Sequence, residues 1–179
     1  MRRLIFAWVL SACGEATEPA TWIERPTVVV YLPEPFEAQS AFDAWAVTGV
    51  LPGVALVDGS GPGEAQNGIS EIYFGETGIG PTGERRLGET YWWTEYDQYI
   101  EADIILDTLE TRWAVVDECP EIGVYDLPSI LTHEIGHFWG LRAESENSEA
   151  TMFGETRLCE TKKRDLHEED IRRIEEIYR

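Results

Sequence analysis

The chain has 179 residues, enough for one domain with a single core. Its aromatic-rich composition (7 Trp, 7 Tyr, 6 Phe) is that of a globular protein without repeats or low-complexity tracts. With 34 acidic against 14 basic residues the formal net charge is −20, which repels phosphate backbones and excludes nucleic acid as a partner class.

The N-terminus differs from the rest. Arg2 and Arg3 precede the apolar run Leu4 to Leu10, followed by Ser11-Ala12-Cys13. A charged start, a short apolar stretch and small residues read as an export signal, too short to span a bilayer. Leu10-Ser11-Ala12-Cys13 is similar to a bacterial lipobox, in which the cysteine (here Cys13) is lipidated. A soluble secreted form and a buried N-terminal strand are the alternatives. Residues 1–13 are therefore expected as signal, 14–26 as a tether carrying prolines, and 27–179 as the folded domain. Export to the outer membrane as a lipoprotein, or to the extracellular space, follows, with the membrane met only through the lipid.

Thr27 to Leu32 is β-branched and apolar and ends at Pro33, a central strand. Residues 37–48 put Ala38, Ala41, Phe42, Trp45 and Ala46 on one face of an amphipathic helix, which Gly49 and Pro52-Gly53 end. Val54 to Val57 is a short strand, and 58–68 is a glycine-rich loop. Further strands are predicted over 69–74, 86–94 and 100–107, the last apolar enough to be internal. Asp126-Leu127-Pro128 is a helix start, with a capping carboxylate and a first-turn proline. Ile130, Leu131, Ile135 and Phe138 form the buried face of this helix, and Gly140 stops it. The last helix begins at Asp165, with Glu168 three residues on as a capping box, and carries the stripe Ile171, Ile174, Ile177 and Tyr178. The sum is an α/β (α+β) domain with one mixed five-stranded sheet and three main helices.

His133-Glu134-Ile135-Gly136-His137 carries the chemistry. Histidines four apart on a helix lie one turn above each other, so both imidazoles can ligate one ion. Glu134 leaves the helix at another angle, which suits it to take a proton from water beside that ion rather than to bind the ion itself. This chemistry needs two rings that face one point. Rings splayed apart, or turned inward onto main-chain carbonyls, would end it. The competing explanation is a helix with unconnected histidines.

Together with Gly140 and Thr151-Met152-Phe153, the motif resembles the metzincin metallopeptidases, most closely the matrixin-like branch, whose pattern is HExxHxxGxxH followed by a turn bearing a methionine. Residues 87–90, 102–107 and 165–178 are similar to that family's paired strands and closing helix. The resemblance implies a metzincin-like catalytic domain, zinc as cofactor, His133 and His137 as ligands, Glu134 as general base, and Met152 as the methionine below the metal. An ordinary core methionine is the alternative for Met152. The outer strand, near Leu87 to Trp93, would dock a protein or peptide substrate. A monomer is expected.

One position departs from the pattern. The third histidine falls at Ala143, which cannot bind metal; Glu144, one residue later, is the candidate substitute, giving a His2Glu set. His167, the remaining histidine, is expected to face solvent. An exported zinc endopeptidase is the leading expectation. The alternative is a catalytically impaired peptide-binding module, because of Ala143. With Cys13 lipidated, Cys119 and Cys159 are left as an even pair in an oxidising compartment, and a disulfide between them would be worth about 3–4 kcal/mol; two free thiols are the alternative.

Overall fold

The computed structural model describes residues 20–33, 36, 38–59, 61–63, 66–80, 83, 85–109, 111–143 and 146–179. Cys13 and the rest of the expected signal segment lie outside them. Five strands, β1 (Thr27–Tyr31), β2 (Ala55–Asp58), β3 (Ser70–Gly75), β4 (Gly88–Glu95) and β5 (Gln98–Asp107), form one mixed sheet in the order β2-β1-β3-β5-β4. All neighbours are parallel except the β4–β5 pair, so β4 is an antiparallel edge strand and β5 is internal. Three helices, α1 (Gln39–Ala46), α2 (Leu127–Phe138) and α3 (Glu168–Tyr178), complete a mixed α/β domain.

Helix α1 buries Ala41, Phe42 and Trp45 as the periodicity predicts, but Ala46 is exposed at its last turn. Helix α2 is the centre of the core. All but one of its residues are buried, because the sheet, α1 and the loop after it each cover a different side. The Trp45 indole donates to the Thr132 carbonyl at 2.8 Å, locking α1 to α2. The Trp92 indole on β4 donates to the His137 carbonyl at 2.8 Å and fixes the edge strand against the same helix.

Packed structure begins ahead of Thr27, within the expected tether. Trp22 is buried, stacks on Phe138 at 5.0 Å and donates its indole N–H to the Phe138 carbonyl at 2.9 Å. Nothing in the local pattern of 20–26 marks that contact, because its partner is 116 residues away.

Two short parallel strands, β6 (Trp113–Ala114) and β7 (Tyr125–Asp126), and a 3-10 turn at Lys162–Arg164 were not expected. They frame the start of α2. The Asp126 side chain caps α2 by accepting from Ser129 N–H at 3.0 Å, and it also accepts from Val116 N–H at 2.9 Å. Both carboxylate oxygens are clasped by Arg164, at 2.8 and 2.5 Å. Burial pushes this carboxyl up, but the Arg164 and backbone bonds outweigh it and hold it below the usual range. Helix α3 is capped by His167, not by Asp165: the His167 ring accepts from Glu169 N–H, and Asp170 closes the capping box. His167 is thus half-buried in a capping role, away from the solvent-facing position expected of it.

Described residues of the glycine-rich loop donate to two buried carboxylates, and a third is bonded to the backbone beside them. Glu71 accepts from Gly63 N–H and the Tyr31 hydroxyl, Glu101 from Asn67 and Gly68 N–H, and Asp103 from Glu71 N–H. Burial first, then the charges of Glu101 and Glu71, push Asp103 up to about 7. A carboxyl whose pKa rises on folding weakens the fold as pH climbs from the ordinary aspartate range through 7. Asp103→Asn keeps the acceptor and removes the charge. Its stabilising effect in urea unfolding should therefore be larger at pH 8 than at pH 4, by roughly 1–2 kcal/mol after allowing for solvent screening. A pH-independent effect would contradict this account.

Candidate metal centre

Helix α2 presents His133, Glu134 and His137 to a cleft of about 1140 Å3 that runs between β4 and the segment after Met152. Both rings do bond main-chain carbonyls, but each through Nδ1 alone: His133 to Thr151 at 2.7 Å and His137 to Leu141 at 2.7 Å. A carbonyl only accepts, so each ring must carry its proton on Nδ1, which leaves the Nε2 lone pair free. That is the tautomer a metal requires, held by the kind of outer contact that orients metal-binding histidines. The ring centroids lie 4.8 Å apart at 89°. Two imidazoles on one tetrahedral ion, with nitrogens at about 2.0–2.1 Å, have centres roughly 5 Å apart, so the pair fits. Burial holds both rings neutral: His137 falls to about 4 and His133 well below its usual value.

The local sequence explains each carbonyl. Gly140, at φ +101°, turns the chain back so that Gly140 N–H meets the His137 carbonyl and Leu141 N–H the Gly136 carbonyl. This reversal brings the Leu141 carbonyl to His137. The Thr151 carbonyl is held by α3, where buried Asp170 accepts from Thr151 N–H at 2.7 Å and from Met152 N–H at 3.1 Å. Asp170 therefore acts on His133 through the backbone. Nothing in the sequence signals this task.

Glu134 is buried beside the rings. Thr90 on β4 donates to its carboxylate at 2.7 Å, and Gly88 makes room for it, since a Cβ there would lie 2.7 Å from Oε1. Burial drives the Glu134 carboxyl up to about 7, against the Thr90 bond that lowers it. A carboxyl near neutrality can both take and return a proton.

Ala143 lines the cleft and offers no donor, and Glu144 lies outside the described residues. Among the described residues no set of three His, Cys, Asp or Glu side chains is placed to hold a metal ion. The helix thus supplies two fitting donors, and the third is not among the described residues. Cys119 and Cys159 are joined by a disulfide that ties the segment before α2 to the cleft wall after Met152. Lys163, from the unexpected 3-10 turn, also lines the cleft although it is only 1% exposed. Burial lowers its ammonium to about 8, opposed by Glu160 and Glu134.

A family model for matrixins, peptidase family M10, matches residues 80–179, more than half of the chain and all of the site. The chain belongs to the matrixin family, which makes it a metallopeptidase-class protein at the level of family. No curated protein matches the chain.

Met152 is fully buried against Gly136, the helix residue between Glu134 and His137 that follows Ile135. A Cβ at Gly136 would lie 2.2 Å from Met152 Sδ and 2.6 Å from Trp45 Cζ2. Alanine would favour the helix by about 1 kcal/mol, whereas overpacking costs about 1–3 kcal/mol or more. Overpacking wins at such distances, so Gly136→Ala should lower unfolding stability by about 1–2 kcal/mol. An unchanged or raised melting temperature would show that Met152 is not packed there.

Proposed function

We propose that this matrixin is an exported zinc-dependent endopeptidase that hydrolyses peptide bonds in protein or peptide substrates. The supporting observation is the pair of neutral imidazoles, each with Nδ1 bonded and Nε2 free, beside a carboxyl pushed towards neutrality. His133 and His137 would hold the ion, with Glu144 proposed as third ligand. When bound, zinc supplies a Lewis acid that polarises the scissile carbonyl and acidifies water at neutral pH.

The chain's own residues do the rest. Edge strand β4 offers unpaired backbone groups on which an extended substrate can add as a further strand. Glu134, oriented by Thr90 and accommodated by Gly88, takes the proton of the attacking water and returns it to the departing amine. Burial of the carboxyl keeps its basicity high enough for the first step and its acidity adequate for the second. Export and lipidation at Cys13 belong to the same proposal and rest on the N-terminal sequence.

Ala143 favours a second reading: a catalytically impaired module that retains the cleft and edge strand for peptide binding. Casein hydrolysis by the zinc-supplemented chain separates the two. Glu134→Gln should lower kcat/KM by about 100-fold or more, the usual share of a general base. Equal and negligible turnover by both forms would leave the binding module.

A further inference from the structure

We infer that Lys163 is a carboxylate-recognition residue in the wall of the cleft, selecting substrates that carry an acidic group at a fixed distance from the scissile bond. This rests on the peptidase reading for its link to cleavage, but not for binding. The other cations of the cleft are committed. Arg86 pairs with Glu89 at 2.7 Å, and Arg85 bonds the Thr77 carbonyl at 2.5 Å and lies 3.8 Å from Asp107. Lys163 differs. Its Nζ donates to the Phe153 carbonyl, and among the described residues no carboxylate comes within 4.0 Å of it. The nearby Glu160 instead lies 3.7 Å from Lys162.

An ammonium has three N–H donors, and burying it with one neutral acceptor is costly. The charges of Glu160, Glu134 and Asp170 offset part of that cost, but none of these carboxylates bonds the ammonium. Among the described residues two N–H groups therefore stay without a partner, and burial needs a reason beyond holding one carbonyl, which a smaller neutral donor could do. The location supplies one. Lys163 lines the cleft together with Ile130, one turn before Glu134 on α2, and with Gly154 and Thr156, next to the Phe153 carbonyl that it holds. A Cβ added at Gly154 would meet nothing within 4 Å, so a side chain can approach there. In a chain of net charge −20, acidic peptides are otherwise repelled, and a partly unsatisfied buried cation is the feature that can reverse this locally. The carboxylate can come from an Asp or Glu side chain or from a substrate's C-terminus.

The two sources and the inference are tested by fluorescence polarisation on the zinc-supplemented full chain carrying Glu134→Gln, which binds without turnover. The probes are short peptides of one sequence in which a single glutamate, or its glutamine twin, is moved position by position, each with a free and an amidated C-terminus. One glutamate register should bind about tenfold tighter than its glutamine twin, the worth of one charge-assisted hydrogen bond. If the tenfold difference instead follows the free C-terminus, the terminal carboxylate is the ligand. In either case Lys163→Gln, which keeps a donor for the Phe153 carbonyl, should abolish the difference. Equal binding of all twins, no peptide binding at all, or a preference that persists in a folded Lys163→Gln chain would overturn the inference. Because the twins are compared on one protein, the result stands even if the lysine variant does not fold. Casein turnover by the unsubstituted chain, with no carboxylate preference in the polarisation assay, would sink this inference and leave the peptidase reading. Preference without turnover would do the reverse.

Discussion

Two hydrogen bonds to backbone carbonyls govern the site. Each takes the Nδ1 proton of a histidine on α2, fixing both the tautomer and the rotation of the ring. The carbonyls belong to two segments: Leu141 lies just after the helix, and Thr151 lies ten residues further along the chain. Everything around α2 serves to hold those two carbonyls still. Gly140 reverses the chain for one, and Asp170 grips the turn that carries the other. Asp126 and Arg164 pin the opposite end of the helix to the 3-10 turn.

The same burial that makes the core tight sets the chemistry. An imidazole removed from water loses its proton more easily, whereas a carboxyl keeps its proton longer. His133 and His137 are therefore driven towards the form that can ligate, and Glu134 towards the form that exchanges protons near neutrality. Opposite consequences for base and acid follow from one low-dielectric setting. The Thr90 hydroxyl tempers the effect on Glu134, and Gly88 makes it sterically possible.

Much of this was legible in the sequence because it is written in short-range pattern. The two histidines lie four apart, β-branched and apolar runs mark the strands, and Asp126-Leu127-Pro128 and Gly140 bracket α2. What escaped is long-range. Lys162–Arg164 shows no apolar period, so neither its 3-10 turn nor the burial of Lys163 could be read; the Arg164–Asp126 contact spans 38 residues. Thr90 carries no local sign of its bond to Glu134, 44 residues on. His167 looked like a surface residue because a histidine cap is chemically ambiguous in sequence. A ring nitrogen can do what a serine or aspartate oxygen does at that position only once the backbone is placed. The covered segment at Trp22 escaped for the same reason: its apolar character is evident, but its partner is not.

The proposed ion between the two free ring nitrogens is the claim on which the enzyme reading depends, and zinc K-edge absorption on the zinc-loaded full chain addresses it most directly. The account predicts one zinc per chain with two imidazole nitrogens at about 2.0–2.1 Å, and loss of that shell in His133→Ala and His137→Ala. A spectrum without imidazole backscattering, or one unchanged by removal of either histidine, would contradict it.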